Sequence, residues 1–165
     1  RFMYNKTVFP RLGALFLLMA LSAYGLMAQN YNNGVGLRLG YPFGITSKFG
    51  LSGPNYMEAI AAGYGNGFTL TGLWEHHWYP AKREEFSVYA GGGGHIGTFN
   101  DRGGPYFDRG DGPDVALGID GILGLEWTFQ NAPVNLSFDY KPAFSLIDPI
   151  GYWYGDAAFS IRYVW

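Results

Sequence analysis

Gly92-Gly93-Gly94-His95-Ile96-Gly97 matches by letter the G-x-G-x-x-G pattern that cradles a pyrophosphate. That chemistry needs a helix N-terminus directly after the glycines, and no helical periodicity follows. The glycines read instead as positions that relieve crowding or kink a curved strand. His76 and His77 are neighbours, so in a strand they point to opposite faces and cannot grip one metal ion together. Glu75 shares a face with His77 only, and a third ligand at suitable spacing is missing. Asp101, Asp108, Asp111 and Asp114 offer carboxylates to Ca²⁺, but without the ligand ladder of an EF-hand, and Asp beside Gly is ordinary in a solvated loop. Ser160, His77, His95 and Glu126 supply the residue types of a nucleophilic triad. Alternation turns Ser160 and both histidines inward, whereas a lipid substrate arrives from outside. With no Cys, thiolate chemistry is also removed. The expectation is a protein without cofactor, metal or enzymatic activity.

The largest set of chemically capable side chains is a scattered row of charge: Arg38, Lys48, Glu58, Glu75, His77, His95, Asp120, Glu126, Asp139, Lys141 and Arg162. Each stands on the face of a short alternating segment opposite a bulky apolar residue. Eight such segments are expected, at about 34–41, 45–51, 56–64, 68–78, 86–99, 115–129, 134–141 and 157–165, because strict alternation is the mark of a strand with unlike faces. Pro42-Phe43-Gly44, Ser52-Gly53-Pro54-Asn55 and Asn66-Gly67 are turn signals between them. Two long connections are expected, Asn100–Asp114 and Pro142–Asp156, with Tyr106, Phe107, Tyr152, Trp153 and Tyr154 available to a partner.

The apolar row carries Phe68, Trp74, Trp78, Trp127, Phe138, Tyr140, Phe159, Ile161, Tyr163 and Trp165. An eight-stranded barrel has interior room for only a packed layer of side chains, so these bulky residues must mostly face out. Ten residues of strand tilted by about 40° stand about 25 Å tall, the height of the apolar band of a membrane barrel. Phe68, Trp74, Trp78, Trp127 and Tyr140 are the expected aromatic girdle, since Trp and Tyr favour the membrane interfaces. A soluble lipocalin-like barrel is the alternative, and it requires the aromatic row to line a cavity.

The final residues, with Phe159, Ile161, Tyr163 and Trp165 on one face, resemble the closing strand of bacterial outer-membrane barrels, which the insertion machinery reads. Across residues 29–165 the chain resembles the small OmpA/OmpX-like, porin-like outer-membrane barrel proteins of Gram-negative bacteria. That resemblance implies an all-β, eight-stranded antiparallel transmembrane barrel in the cell outer membrane, with both termini in the periplasm. It also implies outer-membrane lipid and lipopolysaccharide as surroundings, and barrel-assembly machinery and periplasmic chaperones as partners during biogenesis.

Residues 1–28 read as a signal peptide: Arg1, Lys6 and Arg11 precede the apolar run 12–27, and cleavage is expected after Ala28. The run falls short of the ~20 residues of a comfortable membrane helix. The rest carries 8 basic and 13 acidic side chains, a net of −5, which excludes the basic stripe that nucleic acid needs. Only 15% of residues are charged and 19% are aromatic, alongside 26 glycines, a composition that suits a membrane barrel with tight turns. In a closed barrel the charged row shares one narrow interior, and buried charges persist only when paired. Arg38, Lys48, Glu58, Glu75, Asp120, Glu126, Asp139, Lys141 and Arg162 are therefore expected to form an ion-pair network that plugs the lumen. Glu58 and Lys141 have a second reading as rim residues in water. The role expected of the protein is structural or interactive, through its loops; a narrow solute channel comes next, and a lipid A-modifying enzyme last.

Overall fold

The computed structural model describes residues 31–64, 67–80, 83–100, 113–147 and 153–165. They form eight strands: β1 (Asn33–Gly40), β2 (Phe43–Gly50), β3 (Asn55–Tyr64), β4 (Gly67–Trp78), β5 (Phe86–Asn100), β6 (Pro113–Thr128), β7 (Val134–Ile147) and β8 (Trp153–Val164). Each pairs antiparallel with its sequence neighbours, and β1 pairs with β8, so the sheet closes into a barrel in the order of the chain. Closure leaves the sheet without a free lateral edge over the paired length. The seam is completed below β1, where the Asn32 and Asn33 amides donate to the Trp165 carbonyl at 3.1 and 3.0 Å.

Period-two alternation decides the two surfaces. In β4 the buried residues are Thr69, Thr71, Leu73, Glu75 and His77, and the exposed ones between them include Leu70 and Trp74. Among the described residues 29 large apolar side chains are exposed, including Phe68, Trp74, Trp78, Trp127, Tyr140, Phe159, Ile161, Tyr163 and Trp165. An apolar surface that extensive belongs against lipid rather than water. A lipocalin-like arrangement, with the aromatic row lining a cavity, is thereby overturned. Trp78 and Phe68 lie towards opposite ends of β4, and Trp74 lies between them, pairing with Met57 and Gly92.

One expectation about the wall needs correction. The segment 142–156 is not one loop: β7 continues to Ile147 and β8 starts at Trp153. Pro142 suggested a strand end, because proline has no N–H to give to a ladder. Here the β6–β7 register runs from Asp120↔Ala143 to Leu123↔Tyr140 with no pair at Pro142, while on the other side Pro142 pairs with Gly155. The missing donor thus falls where the ladder is already interrupted. The glycine run Gly91–Gly94 lies inside β5, with no helix after it. At Gly91 and Gly93 a Cβ would collide with the β4 backbone, which accounts for glycine at those two positions of the run. The expected signal peptide lies outside the described residues, as do 101–112 and 148–152, with Asp101, Tyr106, Phe107, Asp108, Asp111 and Tyr152.

Candidate functional site: the barrel lumen

The inward face of the strands is mostly polar and charged, apart from an apolar cluster of Ile60, Ala62, Leu73 and Ile122, and the structure gathers its charges into two groups. Nearer the chain termini, Lys48 of β2, Glu58 of β3, Glu75 and His77 of β4, Glu126 of β6 and Arg162 of β8 converge, all buried. The Lys48 ammonium lies 2.8 Å from Glu75, 3.0 Å from Glu126 and 3.7 Å from Glu58. The Arg162 guanidinium donates to Glu58 at 2.5 Å, to the Ser137 hydroxyl at 2.8 Å and to the Asn135 carbonyl oxygen at 3.2 Å. Glu58 also accepts from the Thr46 hydroxyl.

The second group lies further from the termini. The Arg38 guanidinium donates to Asp139 at 2.8 Å and to Asp156 at 2.5 Å. Lys141 bridges Asp120 at 3.0 Å and Asp156 at 3.1 Å, and His95 Nδ1 meets Asp120 at 2.7 Å. The structure thus brings together Arg38, Asp120, Asp139 and Lys141 in one group, and Lys48, Glu58, Glu75, Glu126 and Arg162 in the other. Glu58 and Lys141 are buried, which overturns their reading as rim residues. Charge-assisted, multiply bonded pairs of this kind are the strong class of hydrogen bond. Removing one partner strands the other in a low-dielectric interior, at a cost of about 3–5 kcal/mol.

Tyr89 joins the groups. Fully buried on β5, it donates to Asp139 at 3.3 Å, stacks on His77 with ring centroids 4.9 Å apart, and carries the Lys48 ammonium 4.2 Å from its own centroid. An inward aromatic departs from the expectation that such rings face out. Gly124, paired with Tyr89 across the β5–β6 ladder, explains it: a Cβ there would occupy the space of the Tyr89 ring. Towards the termini the lumen is filled by Tyr31, Tyr56 and His77, with centroids 5.4 Å apart for the tyrosine pair and 4.5 Å for Tyr56 and His77. Tyr31, just ahead of β1, donates to Glu126 at 2.8 Å. Burial first, and then the adjoining Glu126 carboxylate, hold its phenol well above the usual tyrosine range, so it remains a donor.

Three participants were not legible as such in the sequence. Asp156 fell in an expected loop; its place in the alternation Asp156, Ala158, Ser160, Arg162 was the available signal. Tyr89 alternates with Ser87 on the polar face of β5, and Tyr31 precedes any strand pattern. The triad residues are not assembled. The Ser160 hydroxyl has no hydrogen-bond partner among the described residues, His77 Nδ1 pairs with Ser87 at 2.9 Å, and His95 pairs with Asp120. His76 and His77 lie on opposite faces, and His76 meets Asn55 at 2.8 Å.

Neither a known protein family nor a curated protein matches the sequence. Among solved structures, the fold is similar to the crystal structure of the N-terminal β-barrel domain of Pseudomonas aeruginosa OprF, with a TM-score of 0.60 and 11% identity. The likeness covers 81% of this chain and 99% of that domain. At that identity the shared property is the eight-stranded barrel fold.

Proposed function

We propose that this chain is an integral outer-membrane barrel protein of a Gram-negative cell envelope, with no enzymatic activity, whose lumen is closed by ion pairs and whose role is structural or interactive. The observation that carries the reading is the inversion of its surfaces: apolar residues outside, and charged residues in contact with one another inside. An apolar exterior calls for lipid, and lipid A with phospholipid is what such a wall meets in that membrane. A lumen filled by paired charges leaves interaction to the connections that follow β5 and β7, whose strand ends, at Asn100, Pro113, Ile147 and Trp153, lie at the barrel end opposite Asn33 and Val164. The fold likeness to the OprF domain supports the same reading. Insertion through the row Phe159, Ile161, Tyr163 and Trp165, by the barrel-assembly machinery, belongs to it as well.

Single-channel recording in planar bilayers tests the closed lumen. Wild type is expected to be silent, while Arg162→Ala and Glu126→Ala leak, because each opens a gap in the group around Lys48. Steady conductance in wild type would refute closure and favour the narrow channel, the second reading, which the polar interior makes chemically possible.

A further inference from the structure

The charges of the lumen group near the termini do not balance. Lys48 and Arg162 face Glu58, Glu75 and Glu126, and none of the five is more than 4% exposed. With all five ionised, the group holds one surplus negative charge, a condition that buried sites relieve by keeping one acid neutral. The three carboxylates are held unequally. Glu58 takes Arg162 at 2.5 Å and the Thr46 hydroxyl. Glu126 takes the Tyr31 hydroxyl at 2.8 Å and Lys48 at 3.0 Å. Glu75 meets Lys48 at 2.8 Å and the His77 ring at 3.3 Å, both through Oε2.

Two oxygens in the group are buried without a hydrogen-bond donor among the described residues, Glu75 Oε1 and Glu58 Oε2. The two side chains close on one ammonium, that of Lys48, which lies 2.8 Å from Glu75 Oε2 and 3.7 Å from Glu58 Oε2. Two adjoining carboxylates, each with an empty acceptor and together one negative charge in excess, form an arrangement that a single proton satisfies. We propose that Glu58 and Glu75 bind one proton between them, with the acid form resting on Glu75, the less strongly held of the two.

The proton comes from water and leaves to water, and its binding makes the group neutral. The groups that face the pair are Thr46 and Lys48 from β2, Tyr56 from β3, His77 from β4, Tyr89 from β5, Glu126 from β6, Asp139 from β7, Arg162 from β8 and Tyr31 ahead of β1, with Asp139 itself paired to Arg38. Lys48 and Arg162 are the fixed cations among them, and both are already shared with Glu126. The inference rests on the lumen being closed to bulk water. Its test reads a proton whereas the test of closure reads a current, so the two can fail separately.

Infrared spectroscopy of the full chain, folded in lipid vesicles at neutral pH in water and in D₂O, tests the site. The carbonyl stretch of a protonated carboxylic acid is expected in wild type and in Glu84→Gln, which changes an exposed carboxylate. It is expected to vanish in both Glu75→Gln and Glu58→Gln. Urea unfolding supplies the second measurement. Glu75→Gln replaces a neutral acid by a neutral amide and should keep the folding equilibrium within about threefold of wild type, whereas Glu126→Gln, which loses charge-assisted bonds, should lower it more than about tenfold. A wild type with no acid carbonyl, a band that survives both substitutions, or a Glu75→Gln as unstable as Glu126→Gln would overturn the proposal. In each of those cases the surplus charge is met another way, by an alkali cation or by a proton on His77.

Discussion

Replacing Arg162 is the sharpest perturbation of the lumen. Its guanidinium is fully buried, donates to Glu58 at 2.5 Å, Ser137 at 2.8 Å, Asn135 at 3.2 Å and, through Nε, Thr46 at 3.4 Å, and lies 3.7 Å from Glu126. In Arg162→Met the side-chain volume is largely kept, so the loss is mainly electrostatic. Glu58 is left with Lys48 at 3.7 Å as its nearest cation, and that ammonium is closer to Glu75 and Glu126. Breaking one side of a buried pair costs about 3–5 kcal/mol. Water entering the lumen beside the shorter side chain offsets part of this, so a loss of about 3 kcal/mol is expected. Equilibrium urea unfolding in vesicles, followed by tryptophan fluorescence, measures it. Glu58→Gln alone should also destabilise, because it strands Arg162. The double variant should then recover about 2 kcal/mol relative to the sum of the single changes, since no charge remains to be stranded. A cost below about 1 kcal/mol for Arg162→Met, or strict additivity in the cycle, would show that the pair contributes nothing and that the lumen is wet enough to solvate either charge alone.

Gly124→Ala places a methyl where the Tyr89 ring lies and should cost about 1–3 kcal/mol in the same assay; in a Tyr89→Ala background the penalty should largely disappear. Phe138 faces outward between Leu125 and Phe159, so Phe138→Arg should lower stability in vesicles by about 2–4 kcal/mol if it sits near the bilayer midplane, and an effect near zero would place it outside the hydrocarbon. Tyr31→Phe removes the hydroxyl that donates to Glu126 and should cost about 1.5–3 kcal/mol, the range of a hydrogen bond to a charged group, read by the same unfolding titration.

The lumen also explains why charge and stability coexist in a chain with so few charged residues. A barrel of this size cannot fill its interior with aliphatic side chains and still present an apolar exterior from the same strands unless both faces are bulky. This one places short or polar residues inside, such as Ser87, Thr46, Ser137 and Gly124, and uses Arg, Lys, Glu and Tyr to fill what remains. The long side chains cross the lumen, so their bonds link strands far apart in sequence. Arg162 of β8 reaches Glu58 of β3 over 104 positions, and Lys48 of β2 reaches Glu126 of β6 over 78. Such cross-links oppose any slip of register, which would turn every buried charge towards lipid.

What the amino-acid order determined by itself was the face on which each residue stands. The two-residue period of a strand is local, so Phe159, Ile161, Tyr163 and Trp165 sort from Ser160 and Arg162 with no knowledge of the rest of the chain. Eight alternating stretches, a charged row opposite an apolar one, and turn residues between them were enough to expect an all-β barrel and to nominate its inward charges. Partner choice was decided only by the tertiary structure. Nothing in the sequence says that Arg38 meets Asp139 and Asp156 while Arg162 meets Glu58, because those distances depend on how each strand is staggered against the next and on where β8 closes on β1. The same holds for Pro142, whose place in a strand depends on a gap in the β6–β7 ladder, and for Tyr89, whose inward ring depends on a glycine 35 positions away on the facing strand. Alternation is a property of neighbours along the chain. Stagger and closure are properties of the whole sheet, and they decide which buried charges touch.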